Sequence, residues 1–161
     1  MRHRLYFHVS WTTSDREPTI TAQFARFLAR FLPLIARQER ANVLALGAVR
    51  THLHLVVRVN PATSLSRLIQ RWKGGSSLIG NRDGMGGAGR IRWAKGCNIE
   101  SVSPRALADA MAYVRRQAQR HPGEAIPDLG DLCLESPVPP SSGSPSATWG
   151  EKSDDRAPSR G

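Results

Sequence analysis

The run Thr51-His52-Leu53-His54-Leu55-Val56-Val57 reads as a β-strand with two unlike faces. Side chains on a strand alternate, so Leu53, Leu55, Val57 and Val59 point one way into a core while His52 and His54 point the other. The histidine face must therefore stay open or be covered by something that tolerates imidazoles. Two imidazoles on one such face can share a cation.

Patterns on either side of this strand supply its neighbours. Leu5, Phe7, Val9 and Trp11 alternate with Tyr6, His8, Ser10 and Thr12, the period of a half-buried strand, which Asp15-Arg16-Glu17-Pro18 breaks. From Thr21 to Arg40 the residues Phe24, Phe27, Leu28, Phe31, Leu34 and Ile35 recur at three and four, with Arg26, Arg30 and Arg37 between them, giving an amphipathic helix with Pro33 as a point of kinking. Val43 to Val49 is a second strand, and Arg50-Thr51 turns it tightly into the histidine strand as a hairpin. Ser64 or Thr63 caps a helix bearing Leu65, Leu68, Ile69 and Trp72, basic along one side through Arg67, Arg71 and Lys73. Asn81 to Gly89 is too rich in glycine for regular structure and lacks a following P-loop lysine, so it reads as a flexible loop. Ile91 to Val102 supplies a last strand, irregular around Gly96. Ser103-Pro104 opens a final helix that His121-Pro122-Gly123 ends.

The order β-α-β-β-α-β is that of an α+β, ferredoxin-like (RRM-like) antiparallel sheet with two helices on one face. One additional C-terminal helix is left over, and it should cover the face where the histidines emerge or dock on a partner. At about 100° per residue, its Leu107, Ala110, Met111, Val114 and Ala118 form the buried stripe. Tyr113 and Gln117, four apart, border that stripe on one flank, while Arg115 and Arg116 point to solvent or a phosphate backbone.

Length and charge narrow the function classes. The 161 residues suffice for one domain, and a formal charge of +10 with a pI near 11.1 points to a polyanionic partner such as nucleic acid. From Glu135 onward the chain is dense in Ser, Pro and Gly and holds four acidic and three basic residues, so the basic character belongs to the part before it. The expected organisation is a folded domain over 1–122, a short connecting segment over 123–134 and a disordered tail over 135–161. Cys97 and Cys133 are too few for a disulfide scaffold, and no apolar run approaches membrane-spanning length, so the expectation is a soluble chain in a reducing cytoplasm with no membrane partner.

Taken singly, each candidate has a plain structural reading. A His-x-His pair also fits the polar face of a sheet, Tyr113 an aromatic at the edge of a core, and Gln117 a solvent-facing position. His8, on the even face of its strand, reads as a sheet residue rather than a third ligand. Lys73 and the arginines fit a solvated surface as well as DNA contact.

The motifs taken together resemble the single-tyrosine HUH transposases of small bacterial insertion sequences and their REP-associated relatives. The resemblance rests on THLHLVV, Trp72-Lys73-Gly74 with Ser76-Ser77, Trp93 and Gly96 before Ser101-Val102-Ser103, and Tyr113-Val114-Arg115-Arg116-Gln117, over roughly residues 2 to 122. It implies a metal-dependent enzyme in which His52, His54 and Gln117 bind a divalent cation and Tyr113 is the nucleophile. It also implies single-stranded DNA, often hairpin-containing, as the partner, a bacterial cytoplasmic setting at the nucleoid, and a homodimer in which Tyr113 could serve the partner's histidines. Cys97 stands where many relatives have an aromatic residue, and Pro122 follows His121 where some have a second histidine.

These residue types suit the chemistry. A phosphodiester repels nucleophiles, so a cation on its non-bridging oxygen stabilises the charge that develops on attack. Attack by a tyrosine stores the bond energy as a 5′-phosphotyrosine, which the 3′-hydroxyl of another strand can reverse. Two imidazoles and an amide fit Mg²⁺ or Mn²⁺. The DNA-binding residues expected beside this site are Arg67, Arg71, Lys73, Arg115 and Arg116. Two further classes remain: a non-catalytic or domesticated single-stranded nucleic-acid-binding protein, and a basic structural protein. Neither gives the tyrosine and the histidine pair a joint role.

Overall fold

In the computed structural model, residues 4–130, Leu132 and Leu134 are described; the tail expected over 135–161 and Cys133 lie outside the described residues. The chain forms β1 (Leu5–Thr12), α1 (Ala22–Gln38), β2 (Ala41–Ala48), β3 (His52–Val59), α2 (Leu65–Arg82), β4 (Asn98–Val102), α3 (Leu107–Arg115) and the single turn α4 (Gln117–Arg120). Short 3₁₀ turns lie at Ser14–Arg16 and Pro122–Glu124. The strands pair in the order β2-β3-β1-β4, all antiparallel, which is the α+β, ferredoxin-like arrangement expected from the sequence. No helix among the described residues is long and apolar enough to cross a membrane.

Local chemistry sets the helix starts. Thr21 Oγ1 accepts from Phe24 N (3.1 Å) at α1, and Ser64 Oγ accepts from Arg67 N (3.3 Å) at α2. The apolar stripes of both helices then bury Phe24, Leu28, Leu32, Leu68 and Trp72 against Val9, Trp11, Leu53, Leu55 and Val57 on one face of the sheet. The Trp72 indole donates to Leu32 O (2.9 Å), tying α2 to α1 while its ring stacks on Trp11. α1 runs through Pro33 to Gln38 without ending there.

Four sequence expectations need correction. Ile91 to Gly96 is not strand, because its polar groups find partners other than a ladder: the Asn81 side chain takes both Ile91 N (2.8 Å) and Ile91 O (2.9 Å), and a single bridge joins Trp93 to Thr13. Ser103-Pro104 closes a turn, with Ser103 Oγ accepting from Ala106 N (3.2 Å), so α3 begins later at Leu107. That helix is broken at Arg116 (φ −95°, ψ 18°), whose N–H bonds back to Tyr113 O (3.2 Å) in a tighter 3₁₀-type turn. The extra rotation buries Gln117 and leaves Ala118 exposed, the reverse of the stripe read from an ideal helix. Residues 123–134 do more than connect, because Ile126 is buried and Leu129, Leu132 and Leu134 pack on the main core.

The second face of the sheet receives α3. A β-bulge between Val43 and Ala45 shifts the register of β2 against β3. An extra residue in a strand turns the residues after it to the opposite face. Ala45 and Gly47, paired with Val56 and His54, thereby become a floor of small residues on the histidine side. Ala45, Val56 and Val114 form a small second core there, with Leu107, Ala110, Met111 and Tyr113 against it. A Cβ at position 47 would collide with the Val114 carbonyl, so glycine is what lets the last turn of α3 lie on the strand.

Replacing Gly47 by Ala should destabilise the fold by about 1–3 kcal/mol, the usual cost of forcing atoms into a packed interface. Urea unfolding monitored by circular dichroism measures it, and wild-type stability in the Gly47→Ala protein would contradict the close approach.

Candidate active site

His54 on β3 pairs directly with Ser10 of β1, and His8 lies two residues further along the same face of β1. The two imidazoles are in direct contact: His8 Nε2 and His54 Nδ1 are 2.8 Å apart, with ring centroids separated by 5.0 Å. α3 sets Tyr113 over them, its ring edge-on to His8 at 5.8 Å and to His54 at 5.9 Å. The Arg120 guanidinium lies 4.5 Å from the Tyr113 ring centre, a cation-π contact that fixes the ring's orientation. His8, Ser10, His54, Asn98, Glu100 and Tyr113 line a cleft of about 390 Å³.

His52 stands next along β3, with its ring 5.3 Å from that of His54 and 5.1 Å from that of His121. Its Nδ1 is 3.0 Å from Thr51 Oγ1, and the same hydroxyl donates to Glu124 Oε1 (2.9 Å). A hydroxyl has one proton, and a carboxylate can only accept. With that proton directed at Glu124, Thr51 accepts from His52 Nδ1–H, and the lone pair of His52 is left on Nε2. His54 likewise has Nδ1 engaged by His8 and Nε2 left over. Gln117 is buried with its amide oxygen toward the His52 ring, a contact that raises His52; its Nε2 donates to Tyr113 O (3.2 Å), and no donor meets Oε1 in hydrogen-bond geometry.

Burial governs the protonation of this face. Desolvation, reinforced by the neighbouring His8, His52 and His121, pushes His54 down to about 3. Desolvation also lowers His52, against the pull of Glu124, and lowers His8, against the pull of Glu100. All three rings are accordingly neutral near pH 7, the state in which an imidazole nitrogen can ligate a metal.

A buried amide oxygen without a donor is costly unless something electropositive meets it. The sequence-derived set of His52, His54 and Gln117 offers two nitrogens and that oxygen, a donor set suited to Mg²⁺ or Mn²⁺. Among the described residues no group of three or more His, Cys, Asp or Glu side chains is placed to hold a metal ion.

Tyr113, His52, His54 and Gln117 are thus brought to one face. The expected DNA-binding residues scatter. Arg67 and Arg71 form ion pairs with Glu39 at 3.3 and 2.8 Å, and Lys73 donates to Ala94 O and Gly96 O. Arg115 and Arg116 are exposed beside the tyrosine. Sequence reasoning read His8 as a sheet residue rather than a third ligand, and it shares the face and contacts His54. Its even position in β1 was the available signal. Thr51, Arg120 and Glu124 had none.

Residues 1–117 match the family model described as "Transposase IS200 like". The chain belongs to the IS200-like transposase family. No curated protein matches it. Its fold is similar to that of a Deinococcus radiodurans R1 protein described as a transposase, with 21% identity and a TM-score of 0.56 over 73% of this chain and 93% of the other. A REP-associated tyrosine transposase, solved bound to a REP hairpin, gives 13% identity and a TM-score of 0.56 over 75% of this chain and 70% of the other.

Because the transposase holds these imidazoles neutral, its unfolded chain binds more protons than the folded one between the ordinary histidine range and the lowered values. Stability is full above about pH 6.5 and is lost as pH falls below it. The melting temperature of the metal-free protein should therefore drop between about pH 7 and pH 5, and the drop should be smaller in His54→Asn. A wild-type melting temperature constant over that range would contradict the buried neutral face.

Proposed function

We propose that this transposase cuts and rejoins single-stranded DNA, hairpin-containing strands included, by transesterification through Tyr113, with His52, His54 and Gln117 holding Mg²⁺ or Mn²⁺. The observation that carries this reading is the position of Tyr113, edge-on to both His54 and His8 across one cleft. Bound to those three side chains, the cation would supply electrostatic stabilisation to a non-bridging phosphate oxygen.

The protein's own groups do the rest. Tyr113 Oη forms a bond to phosphorus as the bond to the 3′ oxygen breaks. The phenolic proton balances the charge on the departing oxygen, leaving a 3′-hydroxyl and a 5′-phosphotyrosine. Because one ester replaces another, the 3′-hydroxyl of a second strand can reverse the step without ATP and complete strand transfer. Arg120 holds the tyrosine ring, and Arg115 and Arg116 offer charge to the DNA backbone beside it. Thr51 and Glu124 direct His52, and His8 directs His54, so that each presents Nε2; partners of this kind orient metal-binding histidines generally. The REP hairpin on the solved relative supports a DNA hairpin as the ligand here. The setting is then the bacterial nucleoid in the cytoplasm. Since Tyr113 and the imidazoles meet within one chain, we take the tyrosine to act on its own subunit's site; a homodimer would add DNA-binding surface, not a missing residue.

Incubated with Mn²⁺ and a hairpin-containing single strand, the protein should form an adduct stable to denaturant, and Tyr113→Phe should form none. An adduct that survives in Tyr113→Phe would mean another nucleophile. Thr51→Val should weaken Mn²⁺ binding about 10- to 100-fold, as loss of a ligand's supporting hydrogen bond does, with circular dichroism unchanged. Titration followed by electron paramagnetic resonance checks this, and equal affinity would leave Thr51 without a role in holding the metal.

A further inference from the structure

The segment Arg90–Lys95, which precedes β4, forms one wall of a second groove of about 500 Å³, distinct from the tyrosine cleft. Four cations line it, Lys73, Arg90, Arg92 and Lys95, and no acidic residue does. Arg90, Arg92 and Lys95 are exposed and form no ion pair among the described residues, unlike Arg67 and Arg71, which share the Glu39 carboxylate. Unspent charge of this kind is available to a polyanion.

The wall is also built to keep its shape. Asn81 holds both backbone groups of Ile91, Ser14 N donates to Arg92 O (2.8 Å), Ala94 N donates to Thr12 O (2.9 Å), and Lys73 Nζ clamps Ala94 O (2.7 Å) and Gly96 O (2.8 Å). Ile91 is buried and the Trp93 indole donates to Ser76 Oγ (3.0 Å) and packs inward, so Arg90 and Arg92, on either side of Ile91, face out on a fastened segment. A preorganised row of cations loses little entropy when it meets a phosphate backbone.

The groove and the cleft lie close along the chain. Lys95 lines the groove and Asn98 lines the tyrosine cleft, and three residues of chain span at most about 11 Å. We propose that this groove is a second polynucleotide contact, binding the phosphodiester backbone of the DNA strand that continues beyond the tyrosine cleft. The proposal rests on the reading of that cleft as a site for single-stranded DNA. It gives the continuing strand a path from the histidine face past the end of β1 to α2.

The test compares Arg90→Ala/Arg92→Ala/Lys95→Ala with wild type, using fluorescence anisotropy on single-stranded DNA of roughly four and roughly sixteen nucleotides, the range of site sizes for single-strand binders. All three side chains are exposed, and circular dichroism verifies the fold. The variant should bind the short strand as wild type does. For the long strand its salt dependence should fall by about 2 units of slope, the share of three phosphate contacts on a single strand. Equal losses on both strands, or an unchanged slope on the long one, would overturn the groove. Adduct formation by Tyr113 on a hairpin substrate reports the cleft separately. A normal adduct with an unchanged slope sinks the groove alone, whereas a length-dependent loss without any adduct sinks the catalytic reading and leaves the groove standing as a binding site.

Discussion

The carbonyl of Val114 occupies the space that a side chain on residue 47 would need, and the functional face depends on that approach. With α3 seated on Ala45 and Gly47, Tyr113 comes within reach of His54 and the buried Gln117 amide comes beside His52. Lifted by even a methyl group, the helix would carry both residues away from the sheet together. The bulge between Val43 and Ala45 is the deeper cause, because it is what turns the small residues of β2 toward α3.

The same packing sets the electrostatics. Covering the histidine face removes water from His8, His52 and His54, and that desolvation outweighs the nearby carboxylates of Glu100 and Glu124. Rings kept neutral in this way retain lone pairs, and hydrogen bonds at Nδ1 of His52 and His54 leave Nε2 on each. The orphaned Oε1 of Gln117 belongs to the same logic: it is stable where a cation or a ligand's positive dipole meets it. Beyond the cleft, charge is divided between Arg67 and Arg71, which share Glu39, and the row at Arg90, Arg92 and Lys95, which form no ion pair among the described residues.

Much of this was legible in the sequence, and for definite reasons. Period-two and period-three-to-four patterns are strong in β1, β3, α1 and α2, so the element order and the shared face of His52 and His54 could be read directly. Tyr113 and Gln117 stood out through the resemblance to the single-tyrosine HUH transposases, and their four-residue spacing put them on one flank of a helix. An ideal 100° helix, however, put Ala118 inside and Gln117 on the flank, because a single 3₁₀-type turn at Arg116 leaves no mark in the residue pattern. The bulge in β2 was hidden for a similar reason: Leu44, Ala45 and Leu46 are all apolar, so a register shift changes faces without changing the pattern. Asn81 mimics a strand neighbour for Ile91, which made an apolar run look like more β4 than exists. Glu124 meets Thr51, and through it His52, only by the chain's return after α4, a contact 73 residues apart that no local pattern encodes.

The central claim is that His52, His54 and Gln117 form one cation site beneath Tyr113 within a single chain. Anomalous diffraction from a Mn²⁺-soaked crystal tests it most directly. A Mn²⁺ peak is expected within bonding distance of His52 Nε2, His54 Nε2 and Gln117 Oε1, on the side facing Tyr113. A peak held instead by His8 and Glu100, or one that leaves the Gln117 amide unengaged, would contradict it.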